Sequence, residues 1–331
     1  MTMSFVNYLK VRLQNMLVRA NVPLERMAER QLILQAQLYA QNNRQKNHLS
    51  RLQDVEFCAF SQWGEDGIID WLVENLPGIA QTFVEFGVGD YRESNTRLLL
   101  QLRNWRGLVL DGSAEHIADI RSQDLYWRHD IQANRAFIDR ENINNLISDA
   151  GFSGDIGLLS VDIDGNDYWV WQAIQVVCPA IVVCEYNAVF GDKYQLTVPY
   201  RADFQRAKEH HSLLCFGASL KAMISLGQAK GYTFVGTGSS GCNAFFVRTN
   251  IAAPVLAKLA SIWAFPSSAR EARDHDGRLL FVGGVERAKL IAEQAIVNLE
   301  VDPQGQGAFA TIADLGDLYS DAWRMSLGAQ V

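Results

Sequence analysis

The segment Val84-Glu85-Phe86-Gly87-Val88-Gly89-Asp90 constrains the fold more than any other part of the chain. An apolar run ends in an acid and passes through two glycines; 24 residues after Gly87 a second apolar run also ends in an acid, Leu108-Val109-Leu110-Asp111. Strands buried on both faces read as such runs, and glycines directly after one let the backbone pass beneath a ligand where a Cβ would clash. A carboxylate about 20 residues further on is placed to accept both hydrogen bonds of a ribose diol. The pair therefore predicts a nucleoside site at the carboxyl edge of an α/β sheet. Arg92 stands where a dinucleotide fingerprint needs its third glycine, so no bare helix N-terminus is left for a pyrophosphate. Glu85 beside the loop would repel a pyrophosphate but suits a cationic amino-acid ligand such as S-adenosylmethionine.

Around this segment the patterning alternates. Helices are predicted over 61–76, 94–103, 114–122, 134–150 and 167–176, interleaved with strands over 82–86, 107–111, 125–130, 156–162 and 180–185. That alternation specifies a mainly parallel sheet covered on both faces. After a helix over 217–230, Tyr232-Thr233-Phe234-Val235 and Asn243-Ala244-Phe245-Phe246-Val247 flank a Gly/Ser-rich turn and read as a hairpin. A closing hairpin gives the sheet an antiparallel last strand, whereas a dinucleotide fold continues parallel.

Four further segments narrow the reading: Phe60-Ser61-Gln62-Trp63-Gly64-Glu65-Asp66, Ser94-Asn95-Thr96, Asn104-Trp105-Arg106-Gly107 and Ser160-Val161-Asp162-Ile163-Asp164-Gly165. In this order and spacing the chain resembles the FkbM-type class I S-adenosylmethionine-dependent methyltransferases over roughly residues 57–250. Many class I enzymes carry a third glycine two residues after Gly89, where this chain has Tyr91. The resemblance implies a Rossmann-like class I sheet and methyl transfer to a hydroxyl of a carbohydrate or other polyhydroxylated metabolite. It makes residues 1–56 an N-terminal helical extension and 251–331 a C-terminal helical lid or tail. An NAD(P)-dependent oxidoreductase and a catalytically inactive scaffold for glycan assembly are the rival readings.

On this reading the cofactor set is Gln62, Glu65, Glu85, Gly87, Gly89, Asn95, Asp111, Gly112, Ser113, Asp130, Ile131 and Asp162. Asp130 and Ile131, at the expected end of the third strand, would meet the adenine. Ser61 or Gln62 shares a helix face with Glu65 over the cofactor mouth. The catalytic candidates are Asp162, Asp164, Glu185 and His210. Two purposes stay open for the first three. They could ligate a Mg²⁺-like ion through hard oxygens, or act without metal, with Asp164 or Glu185 as general base and Asp162 on the cofactor's methionine end. Asp167 reads as a cap for the next helix, His210 and His211 as surface histidines or a base, and Trp169 and Trp171 as core.

A net charge of −7 argues against a nucleic-acid binder, which needs a basic surface. No apolar run is long enough to span a membrane and no signal sequence opens the chain, so the expectation is a cytoplasmic protein. The five cysteines lack zinc spacing and read as buried thiols. Residues 1–53 hold eight Lys or Arg against Glu25 and Glu29 only, a separate basic unit. Two helices are predicted there, one ending before Pro23 and another over 24–52, with Leu24, Met27, Leu34, Leu38 and Leu52 on a seam interrupted by Gln31, Gln41, Gln45 and His48. A lid on its own domain, a dimerising arm, and a membrane-surface helix built on Phe5, Leu9, Leu13, Met16 and Leu17 with Lys10, Arg12 and Arg19 remain open. In the last case residues 1–20 would hold the protein to the inner face of the membrane.

Overall fold

The computed structural model describes residues 5–305 and 309–328, the side chains of residues 5–23 and 25 excepted. The chain opens with a single helix, α1 (Phe5–Arg44), which runs through Pro23. The expected break there does not occur: a proline removes one helical hydrogen bond but need not end a helix. Next come α2 (Glu65–Asn75), β1 (Thr82–Phe86), α3 (Arg97–Arg103), β2 (Arg106–Asp111), α4 (Ala114–Ser122), α5 (Asp124–Arg128) and β3 (Ile131–Arg135). The succession continues with α6 (Ile143–Asp149), β4 (Gly154–Val161), α7 (Asp167–Ala173), β5 (Val177–Glu185), β6 (Leu196–Thr197), α8 (Arg206–Glu209), α9 (Leu220–Ala229), β7 (Tyr232–Thr237) and β8 (Asn243–Arg248). It closes with α10 (Ala253–Leu256), β9 (Ala295–Asn298), β10 (Phe309–Thr311), α11 (Ile312–Leu315) and α12 (Asp321–Gly328).

Seven strands form the main sheet in the order β3-β2-β1-β4-β5-β8-β7. The first five are parallel, and β8 runs antiparallel to both β5 and β7. This is the Rossmann-like class I methyltransferase sheet, with its reversed strand inserted beside the fifth parallel one. Period-two alternation divides the core: Val84 and Phe86 of β1 join one buried cluster and Phe83 the cluster on the opposite face. Trp169 and Trp171 are buried in the first cluster, the indole Nε1–H of Trp169 donating to the carbonyl of Val198.

Three stretches depart from the sequence reading. The third strand is not 125–130. Asp124–Arg128 is a helical turn, and the strand is Ile131–Arg135, an edge strand whose polar residues alternate with Ile131 and Ala133. Residues 134–150 do not form one helix, because this strand runs to Arg135 and α6 spans only Ile143–Asp149. Within 251–331, expected to be helical, Gly284–Ile291 is a 3₁₀ stretch followed by β9, whose Ile296-Val297 pair favours a pleated setting. β9 lies between β6 and β10 in a second, three-stranded sheet. The last residues do not trail off peripherally: Leu318, Tyr319, Trp323 and Leu327 are buried in the cluster that holds Trp169. Among the described residues no helix is long and apolar enough to cross a membrane. All five cysteines are free thiols, and Cys58 and Cys178 are exposed, not buried.

Gly87 is the tightest point of the sheet's carboxyl edge. Its φ is +71°, and a Cβ there would lie 1.7 Å from the backbone carbonyl oxygen of Asp162. The glycine is therefore required by the protein's own backbone and not only by a ligand. Gly89, at φ +53°, faces open space. Gly87→Ala is expected to destabilise the fold by at least about 3 kcal/mol, strain plus a backbone clash, while Gly89→Ala costs only the left-handed strain of about 1 kcal/mol. Chemical denaturation checks this; equal stability of the two variants would contradict it.

Candidate active site

Two cavities open at the carboxyl edge and share Gly87, Asp162, Asp164, Arg206 and Glu271 in their walls. The larger, about 710 Å³, is lined by Gly89, Asp111, Gly112 and His116 on one side and by Ala136, Phe137 and Ile138 on another. The smaller, about 330 Å³, is lined by Gln62, Trp63, Asn95, Glu185, Asn187, Asn243 and Arg287 among others.

The glycine loop is held from both sides. Glu85, buried, accepts hydrogen bonds from the Ser94 and Thr96 hydroxyls and from the backbone N–H of Asn95 and Thr96. Burial pushes its pKa up and these donors pull it back. Its carboxylate thus shapes the loop, and its oxygens are already engaged by protein donors. Asp111 accepts from the Gly89 N–H at 2.9 Å, the Ser113 N–H at 2.7 Å and His116 Nδ1 at 3.1 Å. It nonetheless lines the larger cavity, and its Oδ2, which accepts only from Gly89, keeps acceptor capacity there. Tyr91 adopts φ +63°, the left-handed conformation a third glycine would take freely. Its ring is fully buried and its hydroxyl lies 3.0 Å from Thr96 Oγ1, which offsets the strain.

Before α2 the chain is a loop, so Ser61 and Gln62 do not share a helix face with Glu65. The cause is Asp66. Its Oδ2 accepts the backbone N–H of Ala59, Phe60 and Ser61 and the Ser61 hydroxyl, closing the turn ahead of the helix. Burial raises the Asp66 pKa to about 6 against the pull of these donors. The turn carries Gln62 and the half-exposed Trp63 to the mouth of the smaller cavity. Glu65 is buried behind it, accepting from the Trp63 N–H and from Asn243 Nδ2, and lines neither cavity.

Asp162 and Glu185, from the ends of β4 and β5, each place a carboxyl oxygen within 4.8 Å of the other's. Two carboxyl groups this close repel one another as anions, and a proton or a cation relieves that repulsion. Burial and then the charges of Asp167, Asp164 and Glu85 raise Asp162 well above the ordinary range. Burial and the charges of Asp162, Asp164 and Asp167 do the same to Glu185, against the opposing pull of Arg206. Asp164 is exposed, holds φ +54° and pairs with Arg206 at 2.6 Å. Arg206 also pairs with Glu271 at 2.7 Å and stacks on Phe216. Asp167 does not cap a helix from in front: it accepts the N–H of Ile163 and Gly165 and tightens the loop that presents Asp162 and Asp164, with its pKa raised by burial to about 6.

The structure brings together Gly87, Gly89, Asp111, Gly112 and Asp162 in the larger cavity and Gln62, Glu85, Asn95, Asp162, Asp164 and Glu185 in the smaller. It does not bring in Glu65, described above, or four others. Asp130 and Ile131 lie at the amino end of β3, where Ile131 pairs with Gly107 at the start of β2, so they sit at the edge of the sheet away from the glycine loop. Phe137 and Ile138, just past the true strand end, take the place expected of them. Ser113 caps α4 and reaches the cavity only through Asp111. His210 hydrogen-bonds Ser212 and lies tilted against the His211 ring, outside both cavity walls. Sequence reasoning missed His116, Arg206, Glu271, Arg273 and Arg287. The first follows a recognised acid by five residues, but the others come from segments whose approach is set by tertiary packing.

No protein-family model and no curated protein sequence matches the chain. Among solved structures, it is similar to the N-terminal domain of EvdMO1 crystallised in the presence of SAH and D-fucose, at 12% identity over 56% of this chain and 82% of that one, TM-score 0.37. It is similar also to the DszA carbon methyltransferase, at 13% identity over 56% of this chain and 53% of that one, TM-score 0.37. A S-adenosylmethionine-dependent methyltransferase from Clostridium acetobutylicum aligns at 12% identity over 55% of this chain and 89% of that one, TM-score 0.33. These likenesses carry no residue-level correspondence.

Asp66→Asn is expected to destabilise the protein by about 2 kcal/mol, since an amide accepts less strongly and sets an N–H₂ against buried donors. The loss should grow as pH falls through about 6, because the raised carboxyl of the wild type gains stability as it takes up its proton whereas the amide does not titrate. Urea titrations at pH 5 and pH 8 measure both; a pH-independent difference would contradict this role.

Proposed function

We propose that this chain is an S-adenosylmethionine-dependent O-methyltransferase acting on a hydroxyl of a polyhydroxylated acceptor of the carbohydrate class. The observation that carries the reading is the junction of the two cavities at Gly87 and Asp162, with an acid suited to a ribose on one side and the close carboxyl pair of Asp162 and Glu185 on the other. The residues fit the cofactor. Gly89 leaves a Cβ-free cradle, Asp111 offers acceptor oxygens beside it, and Phe137 and Ile138 give an apolar wall for a base. A dinucleotide fits less well, because α3 begins only at Arg97 and presents no helix N-terminus to the glycine loop.

When bound, the cofactor supplies an electrophilic methyl group on sulfonium. The chain's work is to hold the acceptor hydroxyl in line and take its proton. Glu185, with an Oε2 that is buried and has no hydrogen-bond partner, is the acceptor of that proton, and Asp162 shares the charge. Gln62, Asn95 and Asn243 line the same cavity, the Asn243 Oδ1 without a hydrogen-bond partner, and offer amide groups suited to neighbouring hydroxyls. The polar, hydroxyl-matching wall is what supports a carbohydrate-class acceptor.

One observation favours a metal-assisted version. One oxygen each of Asp162, Asp164 and Glu185 lie within 4.8 Å of one another. Hard oxygen ligands of this kind fit Mg²⁺, which would lower the pKa of a bound hydroxyl. Against it, Arg206 already neutralises Asp164. Activity that survives EDTA is the expected result; abolition by EDTA and recovery with Mg²⁺ would establish the metal version.

Asp111→Ala is expected to weaken cofactor binding by about 1–3 kcal/mol in calorimetric titration, and unchanged affinity in a folded variant would contradict the ribose assignment. For the base, the sign of the pH effect follows from the raised pKa of Glu185. The carboxylate forms only above the ordinary carboxylate range, so methyl transfer should rise with pH through that raised value. The native state also retains a proton that the unfolded chain releases, so stability is highest at low pH and falls as pH rises through the same region. Glu185→Gln should therefore lower methyl transfer by about 10²-fold while raising stability at pH 8 by about 1 kcal/mol. Loss of stability together with full activity would overturn the assignment.

A further inference from the structure

The long helix α1 carries two seams on opposite faces. With heptad positions a at Leu24, Gln31 and Leu38 and d at Met27, Leu34 and Gln41, the residues that touch the body of the protein fall mostly at b, c and f, on the face opposite that seam, with Arg44 at g reaching Glu74. Arg26 pairs with Asp124 at 2.7 Å, Glu29 with Arg97 at 2.6 Å, and Asn43 Nδ2 donates to the Val55 carbonyl at 2.8 Å. Between them Ile33 packs against Ala36 and Ala40, which are buried with Phe57, Phe60 and Leu98. The small residues thus face the chain's own body. The large ones face away: Leu24 is 60% exposed, Met27 54%, Leu34 61% and Leu38 67%. A helix that served only as a lid would place these leucines inward, so the outer seam calls for a partner.

We infer that this partner is a second copy of the chain, joined through α1 as a parallel two-stranded coiled coil. The flanking positions suit self-association. Facing g and e residues in a parallel pair are Arg30 with Gln35 and Gln37 with Asn42, so no like charges oppose one another. Gln31, at an a position, meets its own counterpart, and two amides can satisfy each other where a leucine partner would leave one unpaired. The same heptad continues in the sequence of the helix through Leu17 and Leu13 at a and d, with Ala20 and Val6 also in register and Lys10 interrupting it. That gives a seam of about five heptads, enough for a stable pair. Because the bodies dock mostly on the b, c and f side, opposite the seam, the coil leaves them on its two outer faces.

The inference is independent of the catalytic reading and is tested on the full chain by sedimentation equilibrium at micromolar concentration. The wild type is expected as a dimer, and the double substitution Leu34→Glu, Leu38→Glu as a folded monomer with unchanged cofactor affinity, since both side chains are exposed in the single chain. A monomeric wild type, or a variant that stays dimeric, would overturn it. So would a monomeric wild type that binds anionic phosphatidylserine vesicles and loses that binding with the double substitution, which would give the seam to a membrane surface. Strand direction is read separately: Leu38→Cys, oxidised alongside the wild type to correct for Cys58 and Cys178, should form a linked dimer in high yield. A yield at the wild-type level would exclude the parallel arrangement.

Discussion

The contact on which the rest of the site depends is the one between the backbone of Gly87 and the carbonyl of Asp162, where no side-chain atom fits. It fixes the end of β1 against the end of β4. The loop leaving β1 then turns through Gly89, whose N–H finds Asp111, and the loop leaving β4 turns through Asp164. One cavity forms above each turn, and they join where the two backbones touch. Glu85 secures the same loop from beneath with donors from residues 94–96. A buried carboxylate with this many donors tolerates its desolvation, whereas one with none would take up a proton.

Charge is what distinguishes this edge of the sheet from an ordinary loop cluster. Asp162, Asp164 and Glu185 gather where self-repulsion is least screened, and a single arginine, Arg206, tempers it from the side. Left-handed backbone at the non-glycine residues Tyr91, Asp164 and Leu213 adds strain around the same cavities. Strain and repulsion held in place by a well-packed sheet are the marks of a site kept for chemistry. Arg206 and Glu271 tie that chemistry to the later part of the chain, so the walls of the site draw on segments that sequence order separates widely.

Much of this was legible before any coordinates. β1, β2, β4 and β5 announce themselves as apolar runs ending near acids, and the hairpin of β7 and β8 by its glycine-rich turn. β3 did not. Leu125-Tyr126-Trp127 mimics a strand and Asp130 mimics its acidic end, while the real strand is a half-polar edge that lacks the apolar run of a central one. That one slip put the residues expected to meet a base, Asp130 and Ile131, at the far edge of the sheet from the cavity that Phe137 and Ile138 line. The sequence leads one to expect Gly87 to make room for a ligand, whereas a Cβ there would meet the Asp162 backbone, a contact between segments 75 residues apart that no local pattern announces. Arg206, Glu271 and Arg287 carry no local pattern at all; only the packing of the later segments brings them to the cavity.

The most direct test of the central claim is calorimetric titration of the wild-type chain with S-adenosylhomocysteine and, separately, with NAD⁺. The account predicts saturable binding of S-adenosylhomocysteine at one site per chain and no heat of binding with NAD⁺. Saturable binding of NAD⁺, or none of S-adenosylhomocysteine by a folded protein, would contradict it.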